Sequence, residues 1–187
     1  MRVVAGKYGS RPLKAVPGMN TRPTTDKVKE AIFSALGGYL DCAYCLDFYG
    51  GSGGLAIEAV SRGTQHAVIT EKYRPALKTI QDNIAMTKEP ECFTLLAGDN
   101  RQALLKWQAA HPTAYFDLVL LDPPYATQTI VADIEWLASN QLVQDSTVFV
   151  CETDDHTQLP EAIADFGLQR VKRYGQTQVY FYEKDEA

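Results

Sequence analysis

The 187-residue sequence contains no apolar run approaching the roughly 20 residues that a membrane-spanning helix requires. Its opening, MRVVAGKYGSRP, lacks the apolar core of a secretory signal, so a cytoplasmic protein without membrane contact is expected. Cysteine is sparse, at 42, 45, 92 and 151. Cys42-x-x-Cys45 runs into an apolar strand rather than opening a helix, as a redox pair would, and Cys92 and Cys151 supply no second close pair for zinc. Reduced structural thiols and no metal are therefore expected. Only three histidines occur, His66, His111 and His156, none in a motif that would place a catalytic base. Repeats and low-complexity stretches are also missing, which leaves one soluble globular unit. A chain this long buries about 70% of its unfolded surface and needs no disulfide staple.

What is present is uneven in charge. The formal net charge of −5 looks unsuited to a nucleic-acid partner until it is divided along the chain. Residues 1–36 carry seven Lys and Arg against Asp26 and Glu30, a net +5, which leaves −10 on the remaining 151 residues. This is the pattern of a basic arm on an acidic body.

Short β-rich apolar runs, 43–48, 67–71, 92–97, 116–121 and 147–151, alternate with helical patterns at 54–62, 73–86, 100–110 and 128–138. Such alternation predicts parallel βαβ units with helices on both sheet faces. Residues 2–16 read as a hairpin turning at Gly9-Ser10, followed by a helix capped by Thr24 or Thr25 and ended by Gly37-Gly38. Segments 168–174 and 178–183 read as a closing antiparallel hairpin. The expected organisation is an N-terminal extension over 1–38 and a catalytic domain over 39–187.

The segment Leu46-Asp-Phe-Tyr-Gly-Gly-Ser-Gly-Gly-Leu-Ala-Ile-Glu58 leaves a strand, turns on glycines and enters a helix. It fits a dinucleotide fingerprint through Gly51-x-Gly53-x-x-Ala56, a nucleophile elbow through Gly50-x-Ser52-x-Gly54, and an S-adenosylmethionine loop through Asp47 and the glycines. The elbow has no histidine to serve it. A pyrophosphate at the helix N-terminus would be repelled by Asp47, whereas the amino and sulfonium groups of S-adenosylmethionine would be attracted. Glu71 and Asp99 end the next two strands on the same sheet edge, where open α/β sheets bind ligands, with Glu71 suited to a ribose and Asp99 to an adenine amine.

Directly after the fourth strand comes Asp122-Pro123-Pro124-Tyr125. An exocyclic base amine is a poor nucleophile because its lone pair is delocalised into the ring. Asp122 can accept one of its N–H groups and the Pro123 carbonyl, held by the two prolines, the other. Two acceptors out of the ring plane favour a tetrahedral nitrogen aimed at a methyl donor, and Asp122 stabilises the charge that develops. Tyr125 can stack on a base that is unpaired or flipped out.

On these residues, and on Arg2-Val-Val-Ala-Gly-Lys-Tyr, Arg22-Pro-Thr-Thr-Asp-Lys-Val-Lys-Glu-Ala-Ile-Phe and Lys172-Arg-Tyr-Gly-Gln-Thr, the chain resembles the RsmD-type 16S ribosomal RNA guanine-N2 methyltransferases along nearly its whole length. The resemblance implies a class I, Rossmann-like sheet of seven mostly parallel strands with the last antiparallel. It implies methyl transfer from S-adenosylmethionine to guanine N2 in ribosomal RNA, within a small-subunit particle; a monomer is expected, although sequence alone does not give the oligomeric state. The cofactor site is accordingly assigned to Asp47, Gly50, Gly51, Ser52, Gly53, Leu55, Glu71, Lys72, Asp99 and Asn100. Catalysis is assigned to Asp122, Pro123, Pro124 and Tyr125, and RNA phosphate contacts to Lys7, Arg11, Lys14 and Arg22. Gly50 stands where the family is expected to carry alanine, and Phe48-Tyr49 where it carries Leu-Phe. The rival readings are an adenine-N6 DNA methyltransferase, for which the chain has no room for a separate target-recognition region, and a nicotinamide-dependent oxidoreductase.

Overall fold

The computed structural model describes residues 1–18, 24–124 and 127–186, with the backbone alone at 127 and 128. Its elements run α1 (Asp26–Ala35), β1 (Tyr44–Asp47), α2 (Gly54–Ser61), β2 (His66–Glu71), α3 (Arg74–Thr87), β3 (Phe93–Ala97), α4 (Asn100–Ala110), β4 (Phe116–Leu121), α5 (Thr127–Ser139), β5 (Val143–Asp154), β6 (Ala162–Ile163), β7 (Phe166–Tyr174) and β8 (Thr177–Glu183). One sheet holds all the strands in the order β3-β2-β1-β4-β5-β8-β7-β6. The first five strands in that order are mutually parallel, and β8 enters antiparallel between β5 and β7.

The mostly parallel sheet with its reversed last strand is the expected architecture, with one strand more than expected. The addition is the two-residue β6, which pairs with the start of β7. Its brevity explains why no apolar pattern announced it.

Side chains alternate across the sheet, as the period of two in a strand requires. Cys45, Ala67, Ile69, Leu118 and Leu120 join a core under α1 and α2. Leu46, Val68, Val119 and Leu121 join a second core on the opposite face with Trp107 and Ile134. Buried on both faces, the central strands read as continuous apolar runs. Asp117, the polar interruption near the start of β4, accepts the backbone N–H groups of Ala43 and Tyr44, each at 2.9 Å.

The N-terminal residues differ from the regular hairpin that the sequence suggests. Ser10 N–H reaches Val3 O at 2.8 Å and Leu13 N–H reaches Met1 O at 3.0 Å, but the only bridge is Arg2 with Pro12 among the described residues. The ladder stops because the intervening amides are taken by helix α2. Val4 and Ala5 donate to the Glu58 carboxylate at 2.8 and 3.1 Å, and Lys7 and Tyr8 donate to Ser61 O and Oγ at 2.8 and 2.9 Å. This approach demands glycine at position 6. A Cβ there would lie 2.0 Å from Ser61 O, at a φ of 83°.

Glu58 is fully buried and also accepts from Arg62 Nε at 2.9 Å, while Arg62 reaches Glu30 on α1 at 2.8 Å. One charged network thus clasps the extension to helix α2. Glu58→Ala leaves the buried Arg62 without that partner and two amides without acceptors, so a loss of about 3–5 kcal/mol is expected. Urea unfolding checks this, and an unshifted midpoint would contradict it.

Candidate active site

The carboxyl edge of the sheet collects the polar residues. Asp47 ends β1 with 1% of its surface exposed, and neither carboxylate oxygen has a hydrogen-bond partner among the described residues. Burial pushes its carboxyl well above the usual range; the Ala56 amide is the main opposing influence, the nearby charge of Glu71 adds to the rise, and the Tyr49 amide opposes it more weakly. A buried acceptor without a donor calls for a ligand that brings one.

Next to Asp47 the glycine loop is fixed by its neighbours rather than by itself. Gly50 N–H donates to Thr70 O at 2.9 Å, and Thr70 Oγ1 donates to Phe48 O at 2.7 Å. A Cβ at Gly50 would meet Ile69 Cγ2 at 2.6 Å and Ile80 Cδ1 at 3.0 Å. That crowding accounts for glycine where the family is expected to carry alanine. Ser52 Oγ accepts from Gly54 N–H at 3.3 Å, and Ser52 O accepts from Asn83 Nδ2 at 2.8 Å. Gly53 precedes the first turn of α2. Leu55, half a turn on, packs into the core beneath the loop.

Glu71, at the end of β2, is half-buried and held in a fixed orientation. Its Oε2 accepts from Gly51 N–H at 2.9 Å, and its Oε1 accepts from the N–H groups of Lys72 and Tyr73 at 2.8 and 2.9 Å. A carboxylate has roughly four acceptor positions, so one remains for a further donor. The Lys72 side chain is exposed, and the backbone carries its part in this arrangement. Asp99 caps α4 by accepting from Gln102 N–H at 3.0 Å, while Asn100 Oδ1 accepts from Arg101 N–H at 2.9 Å.

Sequence reasoning missed the support behind Asn100. Tyr49 Oη donates to Asp133, which is 2% exposed on α5 and pairs with Arg101 at 3.1 Å. Burial is the main cause that pushes the Tyr49 hydroxyl far up, so it stays a neutral donor.

Asp122 follows β4 immediately, with Pro123 buried and Pro124 exposed behind it. Tyr125 and Arg22 lie outside the described residues. Two partners of Asp122 are not apparent from the sequence. Of the two candidate caps for α1, Thr25 does the capping, accepting from Val28 N–H at 3.2 Å. Thr24 turns instead to the sheet, where its Oγ1 donates to Glu152 Oε2 at 2.7 Å and stands 3.3 Å from Asp122 Oδ2. Glu152 lies on β5 directly after Cys151, which is in register with Leu121. The two carboxylates therefore sit side by side on adjacent strands. Burial first, then the charge of Glu152 and then that of Asp47, push Asp122 well up, and the Thr24 contact opposes them. Burial likewise raises Glu152. Glu152 was findable in principle, as an acid after an apolar strand at the edge already carrying Asp47, Glu71 and Asp99.

The cations of the basic arm are partly engaged. Lys7 pairs with Glu89 at 2.8 Å, Arg11 donates to Thr87 O at 3.1 Å at the end of α3, and Lys14 pairs with Asp82 at 3.2 Å. The Lys7 and Lys14 side chains nonetheless remain 46% and 69% exposed.

No helix among the described residues is long and apolar enough to cross a membrane, and no cluster of potential ligands for a metal occurs among them. The family model described as "Conserved hypothetical protein 95" matches residues 1–183. The Bacillus subtilis protein YlbH, whose name marks it as a candidate rRNA methyltransferase, is 38% identical over 184 residues, spanning 98% of this chain and 99% of its own. Ribosomal RNA small subunit methyltransferase D of Escherichia coli is 29% identical over 188 residues, spanning 99% and 90%. The solved structure of the E. coli protein yhhF, named as a candidate methyltransferase, is 28% identical with a TM-score of 0.80 and spans 100% and 99%. The glycine loop, the three acids that follow successive strands and the Asp-Pro-Pro turn thus lie within a full-length family match, and the chain belongs to the RsmD-type ribosomal RNA methyltransferase family.

Proposed function

We propose that this protein transfers a methyl group from S-adenosylmethionine to the exocyclic N2 amine of a guanine in small-subunit ribosomal RNA. The observation that carries the reading is the position of Asp122, at the end of β4 on the same edge as the unpartnered Asp47. The donor fits these residues. Asp47 offers a buried anion for its amino group, Glu71 an oriented acceptor for ribose, and Asp99 with Asn100 polar groups for adenine. When bound, the cofactor supplies an electrophilic methyl group on a sulfonium.

The chain's own residues then do three things. Asp122 and the Pro123 carbonyl accept hydrogens of the amine, which concentrates its lone pair on nitrogen. The Asp122 carboxylate stabilises the positive charge that grows there and takes up the proton that must leave. Tyr125 stacks on the base and holds it in place; with the donor already activated, positioning provides much of the acceleration.

The test supplies labelled S-adenosylmethionine with small-subunit particles lacking the modification and identifies the methylated nucleoside. N2-methylguanosine is expected; N6-methyladenosine would overturn the substrate. Binding of NAD without binding of S-adenosylmethionine would overturn the whole reading.

Lys7, Arg11, Lys14 and Arg22 serve in this reading as phosphate contacts, which supply affinity but no base choice. The Lys7→Ala, Arg11→Ala double variant is expected to bind RNA more weakly. The slope of log affinity against log salt should shrink by about 0.7–0.9 for each phosphate that goes unneutralised. Unchanged affinity and slope would remove these residues from the interface. The melting temperature should also fall, because Arg11 holds the extension to the end of α3 and Lys7 holds it to Glu89 just beyond.

A further inference from the structure

We propose that Glu152 reads the Watson–Crick edge of the target base, accepting the N1–H of guanine beside the amine held by Asp122, and so makes the site selective for guanine over adenine. This rests on the function proposed above and names the residue that enforces its base choice.

Guanine presents two neighbouring donors on one edge, N1–H and the N2 amine. Adenine presents an acceptor at N1 beside its N6 amine. A methyltransferase that needed only to activate an amine would require one acidic loop. This site has two carboxylates, delivered side by side by strands in register at Leu121 and Cys151. Both reach a single hydroxyl, Thr24 Oγ1, at 2.7 Å for Glu152 and 3.3 Å for Asp122.

A hydroxyl has one hydrogen to give. The shorter contact assigns it to Glu152, which favours the ionised, acceptor-only form of that carboxylate. Thr24 thereby positions Glu152 next to Asp122, and the pair presents adjacent acceptors to adjacent donors. Adenine in the same pose would set its N1 lone pair against an anion with no hydrogen between them, a repulsive element of the kind on which specificity depends. Among the described residues the Glu152 carboxylate belongs to no ion pair, and Thr24 is its one hydrogen-bond partner.

The experiment compares small-subunit ribosomal RNA ligated to carry guanine or 2-aminopurine at the acceptor nucleotide, assembled into particles. 2-Aminopurine keeps the 2-amino group but has a lone pair at N1. The wild-type protein is expected to favour guanine in kcat/KM by about tenfold to a hundredfold, the worth of one hydrogen bond to a charged acceptor. In Glu152→Gln the amide can donate to that lone pair, so the ratio should collapse towards unity or invert, with affinity for S-adenosylmethionine unchanged. Thr24→Val should lower the ratio by a smaller factor and Thr24→Ser should restore it.

A role that only maintains structure would slow both substrates alike, so an unchanged ratio in Glu152→Gln overturns the proposal whatever the absolute rates. Equal use of both substrates by the wild-type protein overturns it without any variant. Failure of the wild-type protein to form N2-methylguanosine on the guanine RNA overturns the functional reading itself, and this proposal with it.

Discussion

Asp122→Ala is expected to lower kcat for methyl transfer by about 100- to 10,000-fold, the range for removing a positioned proton acceptor that also stabilises developing charge. Affinity for S-adenosylmethionine should stay within several-fold, because the glycine loop is held by Thr70, Glu71 and Asn83 and owes nothing to Asp122. Asp122→Asn separates two parts of the role. Its carbonyl can still accept an amine hydrogen, but the side chain cannot take up a proton, so its rate should lie between those of the wild type and the alanine variant.

The pH profile is a further check on Asp122. Burial, the Glu152 charge and the Asp47 charge all raise its carboxyl, with Thr24 opposing. In the proposed role Asp122 must be ionised to accept the amine hydrogen and take up the proton. The wild-type rate should therefore climb with pH along a limb above the ordinary carboxylate range and level off beyond it. Glu152→Gln removes one of the raising charges and should move that limb to lower pH. Near-normal turnover in Asp122→Ala, or a flat profile through the acid range, would dismiss the assignment.

Much of this architecture was legible because the central strands are buried on both faces and the helices between them carry clear periodicity. The acids at strand ends were legible for a related reason. A charged residue immediately after an apolar run in a parallel sheet has no place to go except the carboxyl edge. Three things were hidden, each for its own physical reason. The two residues of β6 are too few to form a pattern.

The N-terminal strands did not form because Glu58 and Ser61, more than fifty residues away, compete for the same amides. Both cap candidates looked alike because Thr24 and Thr25 have the same local chemistry. Only the placement of α1 over the sheet decides that Thr25 caps the helix and Thr24 meets the carboxylates. Long-range partners are the part that periodicity does not encode, and the contacts of Glu152 with Thr24 and Asp122 are of that kind.

Asp47→Asn is expected to make the protein more stable to heat and poorer at binding its cofactor, and the first effect should grow with pH. The folded-state carboxyl is raised well above the unfolded value by burial without a partner. Below the ordinary carboxylate range both states of the wild-type chain hold the proton, so ionisation costs nothing. As pH rises through that range the unfolded chain releases its proton while the folded chain retains it. Wild-type stability then declines by about 1.4 kcal/mol for each unit separating the two values.

The asparagine variant has no proton to lose, so the gap between the two melting temperatures should widen in the variant's favour as pH rises through and above the ordinary carboxylate range. Binding should move the other way. A cationic ligand group beside Asp47 stabilises its ionised form, so S-adenosylmethionine should displace a proton from the wild-type protein on binding and none from the variant. Calorimetry in buffers of different ionisation enthalpy reads that proton directly. A pH-independent gap in melting temperature, together with equal proton release from both proteins, would show that Asp47 is not the anion that receives the cofactor. An affinity loss of about tenfold to a hundredfold, with proton release abolished, is the expected result for one charge-assisted bond.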